Sequence, residues 1–160
     1  VAAMIHLKPI GVVHNAITVA HRDTLWEEIE SEVVIADEWR DALDGLAAFS
    51  HIWVIFYLHR IAPPLSLRVQ PMGRADMPHI GHLATRSPAR LNPIGICAVE
   101  LLEVRGNVLR VRGLDALDGS PVLDLKPYLA RGDAIANTRV GAWVQRYWSE
   151  KEHDEPDDAR

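Results

Sequence analysis

Residues 96–114 read I-C-A-V-E-L-L-E-V-R-G-N-V-L-R-V-R-G-L, and their pattern decides the fold class. Gly106-Asn107 supplies a two-residue turn, after which Leu109 and Val111 alternate with Arg110 and Arg112, the period of a strand with one buried face. The stretch is therefore a hairpin, with strands expected over 96–104 and 108–114. Outward from it, K-P-I-G-V-V-H at 8–14 reads as a first strand, with Pro9 at its start where a missing N–H is tolerated. I-E-S-E-V-V-I-A at 29–36 alternates and then turns wholly apolar, as in a strand whose end is buried. The β-branched and aromatic run 51–58 reads as a central strand, and one more strand is expected over 79–85. Asp37 has the chemistry of an N-cap for a short helix carrying Trp39, Leu43 and Leu46, with Gly45 as its stop. A second short helix, over 142–151, carries Trp143, Tyr147 and Trp148. The class is mainly β.

Two polar loops flank the hairpin. Before it, residues 84–95 read A-T-R-S-P-A-R-L-N-P-I-G, with two permanently charged guanidinium groups, Arg86 and Arg90, each a planar fork that fits a carboxylate or phosphate. Pro88 and Pro93 stiffen the backbone and push Ser87 and Asn92 toward extended conformations. After it, residues 113–128 read G-L-D-A-L-D-G-S-P-V-L-D-L-K-P-Y, a loop with carboxylates at Asp115, Asp118 and Asp124. The arginine and aspartate loops could pair with each other as a structural salt bridge, or divide a zwitterionic ligand between them. Residues 61–78, rich in Pro and Gly, read as a loop that covers a site or reaches toward a substrate.

At 160 residues the chain is about one domain, and a single cysteine, Cys97, excludes an internal disulfide and favours a reducing, cytoplasmic location. No stretch of 18 apolar residues exists and residues 1–8 lack the pattern of a signal peptide, so a soluble protein with no membrane partner is expected. The net charge of −5 argues against a surface that grips nucleic acid everywhere, but residues 150–158 hold most of that excess. Without this acidic tail the body is near neutral, which leaves room for a basic patch among Arg60, Arg68, Arg74, Arg86 and Arg90. His51, Trp53, Tyr57 and His59 share one face if their strand runs on to Arg60, yet His79-x-x-His82 with Cys97 matches no strong zinc spacing, so no metal site is expected. There is no P-loop and no G-x-G-x-x-G, which argues against a nucleotide-triphosphate enzyme.

F-S-H-I-W-V at 49–54, the arginine loop and L-D-A-L-D-G-S-P-V-L-D-L-K-P-Y, in this order and spacing, resemble the TrmO or YaeB-like family over residues 10–128. The resemblance implies a compact, single-domain β-barrel over 1–149, followed by the acidic tail 150–160. It implies S-adenosylmethionine as cofactor, a homodimer, and tRNA as substrate, methylated on the exocyclic amine of a modified adenosine beside the anticodon. The implied cofactor contacts are His59 and Arg60, Arg86, Ile96 against the adenine, and the turn Asp115, Ala116, Leu117 and Asp118. Methyl transfer from an activated sulfonium is chiefly a positioning task. Asn92 is the candidate acceptor for the hydrogens of the amine, and Ser87, Arg90 and Tyr128 are candidates to orient the substrate.

Several residues depart from the family pattern. The family has His-Gln where His59-Arg60 stands and Pro where Leu91 stands. No Pro-Arg-Gln signature, which helps hold the cofactor in long members, occurs in residues 15–28, where Trp26 and Glu27 are the candidates to replace it. The second domain of long members is also missing from the sequence given. A methyltransferase for another substrate and a non-catalytic cofactor-binding module are therefore the alternatives.

Overall fold

The computed structural model describes residues 4–21, 24–62 and 66–154. In chain order the strands are β1 (Gly11–His14), β2 (Glu30–Ile35), β3 (His51–Tyr57), β4 (Arg68–Val69), β5 (Ile80–Gly81), β6 (Ile94–Arg105), β7 (Val108–Arg112) and β8 (Pro121–Pro127). Helices α1 (Ala130–Asp133) and α2 (Ala142–Asp154) follow. Contacts divide the chain into two compact units, Val1–Pro64 with Pro88–Leu129, and Leu65–Ser87 with Ala130–Arg160.

The first unit is a closed antiparallel barrel in the order β1-β2-β7-β6-β3-β8. The hairpin forms as its sequence dictates: Arg105 faces Val108, and Gly106, with φ 62°, takes the positive dihedral that a two-residue hairpin turn requires. Strand β6 is long enough to serve two neighbours, pairing with β3 from Ile94 to Glu100 and with β7 from Glu100 onward. A register shift between Leu101 and Glu103 marks a bulge, which bends a strand shared in this way.

Inward positions alternate along each strand. Val33 and Ile35 of β2, Ile52, Val54 and Phe56 of β3, Leu109 and Val111 of β7, and Val122 of β8 are buried together with Val13 and Val99. Each such side chain contributes about 1.5–3 kcal/mol on burial. The outer surface is uneven. Around β2, β7 and the second half of β6 it is a ladder of charges, with Arg112 bound to Glu30 at 2.9 Å and Glu100 at 3.0 Å. Over β3 and the first half of β6 it is apolar, with Trp53 opposite Ala98, Ile55 opposite Ile96 and Tyr57 opposite Ile94.

Three expectations need correction. The stretch after Gly119 is not loop: Pro121–Pro127 is β8, which pairs with β1 and β3 and closes the barrel. Its terminal prolines read as loop, yet they stand at strand ends, where no ladder N–H is needed. The strand expected over 79–85 is only β5, paired with β4, before a 3-10 turn at His82–Ala84. The helix after β2 is a 3-10 helix, Asp37–Leu43, whose cap is Ala36. Asp37 instead receives a hydrogen bond from Asn107 Nδ2 at 3.2 Å. Glu150, at the start of the acidic run, lies within α2 and pairs with Arg74 and Arg146.

That pairing organises the second unit. Arg74 holds Asp76 at 2.7 Å and also Glu150, while Arg146 binds Asp76 and holds Glu150 at 2.8 Å. Hydrogen bonds from Arg74 and then Arg146 keep the Asp76 carboxyl well below the usual carboxylate range and lower that of Glu150. Arg74 is thus committed to carboxylates and withdrawn from any basic patch. Arg68 is likewise engaged, through Nη2, with the His79 carbonyl at 2.7 Å.

Candidate active site

Asn15 ends β1 with the chemistry of a turn. Its Oδ1 accepts the Ile17 N–H at 2.9 Å, an Asx turn, and its backbone N–H donates to Asp118 Oδ1 at 3.2 Å. Its Nδ2 donates to the Ala116 carbonyl at 2.9 Å and to Ser31 Oγ at 3.0 Å, which satisfies the one hydroxyl that β2 turns into the barrel. Asp118 N–H returns a bond to the Ile17 carbonyl at 2.8 Å, and Gly119 N–H to the Val13 carbonyl at 2.8 Å. His14 Nδ1 stands 3.5 Å from Asp118 Oδ1. The segment after β1 and the turn 115–120 are therefore one hydrogen-bonded structure at the end of the barrel.

The end of β3 completes it. Strand pairing stops at Tyr57, and His59-Arg60 form a turn that reaches the same segment. Arg60 Nε donates to His59 Nε2 at 3.2 Å, and His59 Nδ1 lies 3.3 Å from the oxygen of buried Ser120. Arg60 Nη1 donates to the Thr18 carbonyl at 2.7 Å. Gly119, at φ 79°, takes the left-handed conformation this turn requires, and a Cβ there would meet His59 Nε2 only in ordinary contact at 3.7 Å.

These contacts bring together His59, Arg60, Ala116, Leu117 and Asp118. Ala116 turns its methyl into the core and its N–H to the Leu114 carbonyl at 2.9 Å, and the Leu117 carbonyl accepts from Ser120 N–H at 3.1 Å. Asp115 stays open to solvent as a residue, but protein crowding around its carboxyl raises its pKa, with no neighbouring charge contributing. A cation brought beside it would relieve that cost. Asn15, Ser31, Thr18 and Ser120 were not singled out from the sequence. The detectable signal was an Asn directly after a strand with a polar residue buried on the next one.

The remaining candidates lie on other segments of the chain, and Leu58 N–H, next to His59, donates to the carbonyl of Pro93, next to Asn92, at 2.8 Å. Ile96 is 63% exposed on the outer face of β6, opposite Ile55. Tyr128 follows β8, its ring centroid 5.6 Å from that of Trp53 and 6.4 Å from that of His51. Asn92 lies exposed in the loop entering β6, its carbonyl accepting the Ile94 N–H at 2.8 Å, with half-buried Arg90 and exposed Leu91 before it. Arg86 and Ser87 belong to the second unit. There Thr85 Oγ1 donates to the His82 carbonyl at 2.9 Å and accepts the Ser87 N–H at 3.1 Å, bracketing exposed Arg86. Among the described residues Arg86 enters no ion pair, no three His, Cys, Asp or Glu side chains are grouped to hold a metal, and no helix could cross a membrane.

Comparison with known proteins adds a family to this geometry. Residues 14–134 match the tRNA-methyltransferase O N-terminal domain. A probable S-adenosyl-L-methionine-binding protein of Methanothermobacter thermautotrophicus is 48% identical over 134 residues, covering 82% of this chain and 95% of that protein. The tRNA (adenine(37)-N6)-methyltransferase of Escherichia coli is 40% identical over 100 residues, covering 59% of this chain and 43% of the enzyme. The crystal structure of TrmO from Pseudomonas aeruginosa superimposes with a TM-score of 0.70 at 30% identity, covering 87% of this chain. This chain spans 62% of the length of that structure.

Proposed function

The chain belongs to the tRNA-methyltransferase O N-terminal domain family, and on that premise we propose that it is an S-adenosylmethionine-dependent methyltransferase. Its proposed substrate is tRNA, at the exocyclic amine of a modified adenosine beside the anticodon, in the cytoplasm. The observation that carries the reading is the 48% identity to an S-adenosyl-L-methionine-binding relative over 95% of that protein's length. The acceptor is suggested by the more distant enzyme from Escherichia coli.

The residues present fit the cofactor. It carries a carboxylate, an ammonium and a sulfonium, and the barrel end offers a guanidinium held by neutral acceptors and a carboxyl, Asp115, that no cation yet compensates. When bound, the cofactor supplies an already activated methyl group. The protein's work is then to bind and orient. Asp115, Ala116, Leu117 and Asp118, with His59 and Arg60, would hold the cofactor, and Arg86 and Ile96 are its other proposed contacts. Asn92 would accept hydrogens of the amine, which frees nitrogen electron density from the ring, and Ser87, Arg90 and Tyr128 would orient the acceptor.

Calorimetric titration with S-adenosylmethionine tests the cofactor reading. Wild-type protein is expected to bind, and Arg86→Ala to bind about tenfold or more weakly, the worth of a charged hydrogen bond. Unchanged binding by that variant would remove Arg86 from the site. Transfer of labelled methyl to tRNA separates the leading reading from its two alternatives: label on another acceptor favours a different substrate, and binding without any transfer favours a binding module.

A homodimer is part of the proposal, supported by the apolar outer face of β3 and β6, where Ile96 is 63%, Tyr57 42% and Ile94 39% exposed. Ile96→Glu is expected to shift the protein to monomer in light scattering. A wild-type monomer at high concentration would refute the assembly.

A further inference from the structure

We propose that Arg60 is a pre-set anion clamp, a guanidinium fixed in advance to receive a ligand's carboxylate or phosphate oxygens at the end of the barrel. The proposal rests on the cofactor reading above and names the ligand chemistry that this part of the site takes.

Three observations carry it. First, the orientation of Arg60 is set by two neutral acceptors, Nε on His59 Nε2 at 3.2 Å and Nη1 on the Thr18 carbonyl at 2.7 Å. Of five N–H donors, about three remain to meet a ligand, since each of these bonds uses one. Second, its charge is not neutralised. On the barrel Lys8, Arg105, Arg110, Arg112 and Lys126 each have a carboxylate within 4.0 Å, whereas Arg60 has none among the described residues. Third, His59 is itself locked. Ser120 Oγ lies 3.3 Å from Nδ1 while Nε2 accepts from Arg60, so the ring is held at both nitrogens and the imidazole acts as an orienter of the guanidinium. A cation ordered before binding loses little freedom when an anion arrives, so a larger share of the interaction appears as affinity.

The position gives the arginine a second consequence. Thr18 lies in the segment 15–28, which carries no Pro-Arg-Gln triplet, and Arg60 replaces a neutral glutamine of the family pattern. Arg60 thereby ties the end of β3 to that segment through a charged donor where the family pattern has a neutral one.

The shared chemistry is an anionic oxygen pair, and its source is either the amino-acid carboxylate of the cofactor or a phosphate or carboxylate of the acceptor. Arg60→Gln and Arg60→Lys are compared with wild type by calorimetry against S-adenosylhomocysteine, 5′-methylthioadenosine, which lacks the carboxylate, and unmodified and modified tRNA. A loss of about 10- to 100-fold for S-adenosylhomocysteine with methylthioadenosine unchanged assigns the clamp to the cofactor. The same loss confined to tRNA assigns it to the acceptor. In either case Arg60→Lys recovers only part, because it restores charge without the fork. Equal losses for all ligands, methylthioadenosine included, would show that Arg60 merely ties the 15–21 segment in place, and no loss for any would equally overturn the clamp. An independent arm titrates inorganic pyrophosphate while following the Arg60 Nε–H resonance, assigned by its disappearance in Arg60→Gln. A shift there with no cofactor binding by wild type would leave the clamp standing and sink the cofactor reading. No shift together with intact cofactor binding by Arg60→Gln would sink the clamp alone.

Discussion

Gly95→Ala is expected to lower the stability of the barrel by about 1–3 kcal/mol, which for a protein of this size is a fall of about 3–10 °C in melting temperature. Gly95 pairs directly with Phe56 across β6 and β3, and the ring fills the place where a side chain at 95 would stand. A Cβ there would lie 2.5 Å from Phe56 Cζ and 2.7 and 2.9 Å from the two Cε atoms. Phe56 is 2% exposed and packed among Val54, Val122 and their neighbours, so the ring has nowhere to retreat without displacing the core. Phe56→Ala alone costs about 3–5 kcal/mol through the cavity it leaves. The decisive measurement is the double mutant by chemical denaturation. With the ring gone, the methyl at 95 meets no clash and partly fills the cavity, so the two changes together should cost about 1–2 kcal/mol less than their sum. Strict additivity would mean that the ring does not hold Gly95 in its place.

This pair illustrates what was legible in the sequence. The hairpin of β6 and β7, the strands around 8–14, 29–36 and 51–58 and the mainly β class follow from periodicity, because an inward-outward alternation is written residue by residue. What was hidden depends on partners distant in the chain. Strand β8 lies between prolines in a segment whose Gly and Asp residues read as loop, and only its pairing with β1 and β3 makes it a strand. Glu150 looked like part of a solvated acidic run, and only the approach of Arg74, 76 residues away, makes it a structural carboxylate. In the candidate site, the resemblance marked His59, Arg60 and the 115–118 turn, which the fold does bring together. The residues that hold them were invisible, since a single Asn or Ser has no pattern until its hydrogen-bond partners are placed.

Asn15→Ala is expected to be the most damaging polar substitution at the site. The asparagine side chain makes three hydrogen bonds, to the Ala116 carbonyl, Ser31 Oγ and the Ile17 N–H, and two of these partners belong to buried residues. Truncation leaves those groups without the bond, at a cost of about 1–3 kcal/mol in stability. The loss would not be confined to stability. The Asn15 side chain fixes the carbonyl of Ala116 and reaches Ser31 of β2, so the turn proposed to hold the cofactor loses its tie to β2, while the backbone N–H of residue 15 still meets the Asp118 carboxylate. Cofactor affinity should fall about tenfold or more in protein that remains folded at low temperature, as judged by circular dichroism and calorimetry on the same samples. Asn15→Asp should be no rescue, because it removes the two Nδ2 donors and sets a second carboxylate beside Asp118. Hydrogen exchange gives the local readout: the amides of Asp118 and Gly119, bonded to the carbonyls of Ile17 and Val13, should lose protection in Asn15→Ala while those in the β6 and β7 hairpin keep theirs. Loss of protection throughout the barrel would make Asn15 a general stability residue, and unchanged cofactor affinity despite a loosened turn would remove residues 115–118 from the proposed site.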